Sequence, residues 1–248
     1  MLTPGLVTIT FRKFGREKIC AVAKKAGLSL LEWGGDIHVP PLDGDAIADA
    51  VRLTKEAGLG IDTYGSYYRC GVGEDAGAVV RTAASLGAKN LRVWAGPKGS
   101  AEASADERAA VIRDLRAVCD LAAPHGMTVS TECHNWTLTD DYESAMRMAN
   151  ETERGNFRLY WQPNQFRDEE YNRRAIRASL PYLSNVHVFS WSGQEHYPLD
   201  AHEKLWREYI EIISSDPTAN HGMFLEFTCD DSEEQLYRDA EALLGWLG

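Results

Sequence analysis

The sequence predicts a single-domain α/β protein, a (β/α)8 TIM barrel spanning residues 1–248. Three observations predict it. First, one junction recurs along the chain. A helix-like, alanine-rich segment runs into a glycine, and a short apolar run follows: AKKAGLSLLEW, TKEAGLGIDTY, AASLGAKNLRVW, AAPHGMTVSTE, ETERGNFRLYW and TANHGMFLEFT. Second, the recurrences from Gly27 to Gly155 lie roughly 30–40 residues apart, which suits one strand plus one helix per unit. Third, the apolar runs are short and nearly continuous, as strands covered on both faces are.

Counted through, the strands fall near residues 5–11, 28–33, 59–64, 90–95, 127–133, 157–162, 185–190 and 222–227. Eight strand-then-helix units in about 250 residues is the arithmetic of a closed eight-fold barrel. A doubly wound open sheet is the runner-up. It usually has fewer strands, and the first strand–helix turn, FRKFGREK, is not a glycine-rich dinucleotide loop.

Each unit carries its own signals. Gly27, Gly58, Gly87, Gly126, Gly155 and Gly222 stand where helices end, a place glycine favours because it accepts positive φ. Val111, Leu115, Val118 and Ala122 share one helical face, as do Leu205, Tyr209 and Ile212. Ser232 followed by Gln235 signals the start of the last helix, whose apolar face is Leu236, Leu243 and Leu244.

Composition bounds the rest. Of 248 residues, 44% are hydrophobic and 25% charged, an ordinary globular balance. No apolar run approaches the roughly 18 residues of a membrane helix, and MLTPGLVTIT lacks the basic-then-apolar pattern of a secretory signal. The five cysteines form no C-x-x-C pair; they read as reduced thiols in a cytoplasmic protein. A net charge of −11 opposes binding to nucleic acid. The oligomeric state is left open between monomer and homo-oligomer.

A barrel places its chemistry at the C-terminal ends of its strands. Strand five ends TECHN, with Glu132 and His134; strand six ends YWQPN, with Gln162. Strand seven reads NVHVFSW, with His187, and strand eight reads MFLEFT, with Glu226. Carboxylates inside apolar runs are costly to bury unless paired. Two carboxylates and a histidine on neighbouring strands need a shared partner, and a divalent cation serves.

These stretches, together with LLEWGGDIHVP, GSYYRCG and LRVWAG, resemble the xylose-isomerase-like TIM-barrel family of sugar isomerases and epimerases. The resemblance spans the whole chain. It implies one divalent metal ion (Mn, Mg or Zn) held by Glu132, Gln162, His187 and Glu226. The family has an aspartate at the position of Gln162, so the site here carries −2 rather than −3, and weaker metal binding is expected. The resemblance further implies Glu132 and Glu226 as an acid/base pair acting next to the carbonyl of a sugar or polyol. Inosose-type dehydration on the same site is the alternative chemistry, and a barrel that binds sugar without catalysis is the non-enzymatic one. Abasic-site endonucleases share this barrel, but they need a histidine-rich multi-zinc cluster and a basic face, neither of which this chain offers.

Each residue also has a plainer reading. Glu132 pairs with Arg92 or Arg158 in a purely structural account, His187 is a hydrogen-bonded core histidine, and Gln162 is a structural amide. The resemblance implies that His38, after strand two, faces the substrate; a solvated loop residue is the alternative. Tyr67 and Arg69 after strand three, and Trp94 and Lys98 after strand four, are candidates for sugar binding at the rim, because sugar C–H faces stack on rings. His134 and His196 complete the substrate set. His125 and His221 fall at the opposite end of the barrel and read as structural.

Overall fold

Eight strands close on one another in the order β1-β8-β7-β6-β5-β4-β3-β2, all parallel. They are β1 (Leu2–Val7), β2 (Leu30–Gly34), β3 (Gly60–Arg69), β4 (Asn90–Trp94), β5 (Thr128–Glu132), β6 (Phe157–Trp161), β7 (Leu183–Val188) and β8 (His221–Leu225). The structure is a computed structural model and describes residues 1–215 and 220–248. Thr218 and Ala219, which open the last junction read from the sequence, lie outside the described residues.

Among the described residues, eight α-helices cover the barrel: α1 (Arg16–Lys25), α2 (Gly44–Ala57), α3 (Ala76–Leu86), α4 (Ala105–Ala122), α5 (Tyr142–Thr152), α6 (Glu169–Ser179), α7 (Glu203–Ile213) and α8 (Glu233–Leu247). Most start on a side-chain cap. Asp43, Asp75, Asp141, Asp168 and Ser232 each accept a backbone N–H of the first turn. Ser104 and Glu107 form a reciprocal capping box on α4. Among the described residues, no helix is long and apolar enough to cross a membrane.

Three details differ from the sequence reading. The third strand runs on to Arg69, so Tyr67 and Arg69 lie within it instead of after it. The first strand ends at Val7, and Thr8–Phe11 turn into a 3-10 helix instead of extending the strand to residue 11. Gly27, Gly58, Gly87 and Gly126 are left-handed at helix ends, but Gly155 and Gly222 are not. The left-handed residue after α5 is Glu153, and Gly222 lies inside β8, where a Cβ would strike the Phe224 ring.

Strand alternation sorts side chains between two cores. Leu31 and Trp33 flank Glu32, and the Trp33 indole donates to Thr54 on α2, so Glu32 faces into the barrel. The same alternation turns Arg92, Glu132 and His187 inward. The outer core between sheet and helices holds most of the apolar residues, including Leu115, Val118, Tyr209 and Leu236. Val7, Ile9, Tyr160 and Phe224 form a second, smaller cluster.

Candidate active site

At the C-terminal mouth of the barrel lies a cavity of about 240 Å³. Its floor is Arg92, Glu132, Gln162 and Glu226. Its sides are largely aromatic: Tyr67, Trp94 and Trp136 come from one arc of the mouth, and Phe189, Trp191 and Phe227 from another. Trp94 stacks on the His134 imidazole with centroids 4.8 Å apart. Trp136 and Phe227 hold φ of 63° and 58°. Bulky residues seldom adopt that conformation, and such strain concentrates at functional sites.

Beneath the floor, His187 is fully buried and central. Its Nδ1 stands 2.8 Å from Gln162 Oε1, 3.5 Å from Glu132 Oε1 and 3.4 Å from Glu226 Oε2. Its Nε2 faces Glu32 Oε2 at 3.3 Å. The Arg92 guanidinium bridges two carboxylates: Nε donates to Glu32 Oε1 at 2.7 Å, and Nη1 makes a short bond to Glu132 Oε2. The Tyr160 ring packs 4.4 Å from the imidazole.

The plainer reading of Glu132, a pairing with Arg92, is thus met, and one oxygen is still left over. One of its oxygens is bound by Arg92, and the other faces His187. The donor atoms of Glu132, His187 and Glu226 all lie within 4.8 Å of one another. Neighbouring ligands of a small dication are roughly 3 Å apart, since each sits about 2.1 Å from the ion. The separations around Nδ1 match that spacing. Charge points the same way. Three carboxylates and Arg92 leave −2 when His187 is neutral, and one divalent cation brings the cluster to zero. The residues present fit a divalent metal, with Glu132 Oε1, His187 Nδ1, Glu226 Oε2 and the neutral Gln162 oxygen as its donors.

Without a cation, protons balance the charge. Burial pushes the Glu226 carboxyl up, and Glu132 and Glu32 add to it against His187 and Arg92, giving about 7. Burial opposes a charged His187, but Glu226 and Glu32 more than offset it and raise the imidazole to about 10. Burial would also raise Glu32 and Glu132. Arg92 and His187 reverse this, taking Glu32 to about 2 and holding Glu132 well below the usual carboxylate range.

The predicted residues divide. Glu132, Gln162, Glu226, Tyr67, Trp94 and His134 line the cavity, and His187 lies directly under it. His38, Arg69, Lys98 and His196 do not line it. His38 is buried against Trp33, its Nε2 at 3.1 Å from the Phe14 carbonyl. Arg69 lies over the Trp94 ring at 4.2 Å. Lys98 turns away to pair with Glu107 at 2.5 Å. His196 is exposed on the short hairpin that follows β7 and stacks on Trp191 at 4.2 Å. All four were read as loop residues; Arg69 instead ends β3, and the other three take direction from turns that strand counting does not describe. Missed altogether was Glu32, a glutamate inside the apolar run LLEW. Its buried charge was the available signal, and its partners, Arg92 and His187, lie on strands distant in sequence.

The family description "Xylose isomerase-like TIM barrel" matches residues 20–245. The chain belongs to that family. Among curated proteins, a 3-dehydroshikimate dehydratase from Bacillus anthracis is 38% identical over 69 residues, which are 28% of this chain and 25% of that protein. The match thus spans about a quarter of the relative's length. Solved structures agree with this chain over its full length. The probable 3-DHS dehydratase of Bacillus anthracis superposes with a TM-score of 0.79 at 21% identity, covering 98% of this chain and 99% of that one. The D-psicose 3-epimerase of Clostridium cellulolyticum H10, solved with D-tagatose, gives 0.74 at 13% identity, with 98% and 97% covered. A family member from Mycobacterium smegmatis in complex with magnesium gives 0.73 at 14%, with 99% and 96% covered. At these identities the likeness is one of fold.

Proposed function

We propose that this member of the family is a metal-dependent isomerase or epimerase that moves a proton beside the carbonyl of a small sugar or polyol. The observation that carries the reading is the meeting of Glu132 Oε1, His187 Nδ1 and Glu226 Oε2 at the floor of an aromatic-walled cavity. Glu132, His187, Glu226 and Gln162 would hold the cation, which supplies a fixed positive charge beside the carbonyl oxygen.

The protein's own groups divide the proton work unequally. Glu226 lines the cavity, and its carboxylate is not gripped by Arg92, so it is freer than Glu132 to take a proton. Glu132 is held as a carboxylate by Arg92, so it is a poor proton carrier. We therefore revise the symmetric acid/base pair expected from the sequence: Glu226 takes the proton, and Glu132 contributes fixed charge. One base serves isomerisation, in which the same group takes the proton and returns it one carbon along. Inversion at one carbon needs a second proton carrier on the opposite face, and the cavity wall offers the His134 imidazole for it. The aromatic sides stack on the C–H faces of the substrate, and burial of the floor keeps water from the acidic groups.

Dehydration is the second reading. The curated relative is named a dehydratase, and removal of a proton by one base followed by loss of a hydroxyl needs no second base. Incubating the protein and manganese with a panel of ketoses, inososes and cyclic polyhydroxy ketones in deuterated water tests both. Deuterium at the carbon beside the carbonyl, with all oxygens retained, supports the isomerase or epimerase. Loss of water with a new conjugated double bond, seen as ultraviolet absorption, supports the dehydratase. No exchange on any substrate, with a sugar still raising Tm, would identify a binding barrel instead.

A further inference from the structure

We propose that Glu32 is a positioning residue. It holds the far ends of His187 and Arg92 so that their near ends meet Glu132, Glu226 and Gln162. The proposal rests on the metal reading above only for the size of its effect on metal affinity.

Glu32 has no exposed surface and does not line the cavity. Each of its oxygens has its own donor: Oε1 accepts from Arg92 Nε at 2.7 Å, and Oε2 faces His187 Nε2 at 3.3 Å. Both partners are N–H donors, so the position requires two acceptors back to back. A carboxylate supplies them. A glutamine has one accepting end and would turn its NH2 group on either Arg92 or His187. With the Nε2 proton directed at Glu32, the nitrogen left to face the Glu132, Glu226 and Gln162 oxygens is Nδ1. A carboxylate on the far nitrogen of a ligating histidine fixes its ring and raises its basicity. The grip on Arg92 acts in parallel, because the same guanidinium binds Glu132 Oε2 and so turns Glu132 Oε1 toward His187.

The backbone is built around this carboxylate. Gly65 of β3 pairs with Gly34 and Arg92 in the barrel register. A Cβ on Gly65 would collide with Glu32 Oε1 and stand 2.8 Å from Arg92 Nη2. Glycine weakens a strand interior and often marks a close approach, and the group approaching here is the Glu32–Arg92 pair.

The test combines calorimetric titration of manganese into wild type, E32Q, E32D and G65A with nitrogen-edited NMR of the His187 ring, with and without magnesium. Wild type should show a slowly exchanging Nε2–H proton in both states. E32Q should move that resonance and weaken manganese binding about 10–100-fold. E32D, which keeps both acceptors, should recover part of the loss, and G65A should shift both readouts in the E32Q direction. Manganese affinity and an Nε2–H resonance both unchanged in E32Q would overturn the proposal. If E32Q does not fold, wild type decides: absence of a protected Nε2–H overturns the proposal, and its presence supports it. If wild type binds no manganese, the metal reading fails, while the resonance still tests Glu32.

Discussion

Two layers of side chains inside this barrel lie two residues apart on the same strands, yet they solve burial in opposite ways. The lower layer contains Thr63, Asn90, Ser130 and Asn185; the upper contains Gly65, Arg92, Glu132 and His187. In the lower layer, polar groups satisfy one another. Asn185 donates to Asp62 at 2.7 Å and to Thr63 at 3.1 Å, and accepts from the Gly222 N–H at 2.7 Å. Ser130 donates to Asn90 at 2.6 Å. With Glu32 and Glu226 beside it, the upper layer gathers three carboxylates, one guanidinium and one imidazole, whose charge is balanced only by added protons or by a cation. A self-satisfied neutral layer is a structural plug. A layer with uncompensated charge is organised for something that arrives from outside. The same strands thus seal one end of the barrel and carry the chemistry at the other.

The contrast can be broken or sharpened by substitution. The largest effect is expected at Glu226. Glu226→Gln should cut proton exchange about 10²–10⁴-fold, read by deuterium uptake. The same change should stabilise the metal-free protein at pH 8. The sign follows from a folded pKa of about 7, raised above the ordinary 4.5. The stability this group contributes is complete below 4.5 and is lost as pH rises through 7, so above 7 the ionised form costs the fold. A lower Tm for Glu226→Gln at pH 8 would contradict the charged-layer account. Next is Arg92→Leu, which takes the guanidinium from both Glu32 and Glu132; urea denaturation should show a loss of about 3–5 kcal/mol. Asn185→Ala probes the lower layer and should cost about 1–3 kcal/mol, with manganese affinity unchanged. A change in metal affinity there would mean that the layers are not separable.

The sequence displayed the barrel well because parallel strands and glycine-terminated helices leave local marks, as in TKEAGLGIDTY. The placement of Glu132, Gln162, His187 and Glu226 around the barrel mouth was legible because a strand end can be located by counting. Glu32 was not, because its meaning lies in Arg92 and His187, which only barrel closure brings to it. The directions of His38, Lys98 and His196 were likewise set by turns that no periodicity records, and that of Arg69 by an unforeseen extension of β3.

The smallest expected effect concerns Gln162. Gln162→Asp adds one charge at the His187 side of the floor and should tighten manganese binding about tenfold; an unchanged affinity would remove Gln162 from the donor set.

The central claim is that the upper layer exchanges protons for one divalent cation. Calorimetric titration of manganese at pH 7, repeated in buffers of different ionisation enthalpy, counts both. With Glu226 near 7 and His187 near 10, one ion per chain should bind with release of more than one proton, and affinity should rise about tenfold per pH unit between 7 and 10. Absence of binding at millimolar manganese, or binding without proton release, would contradict the account.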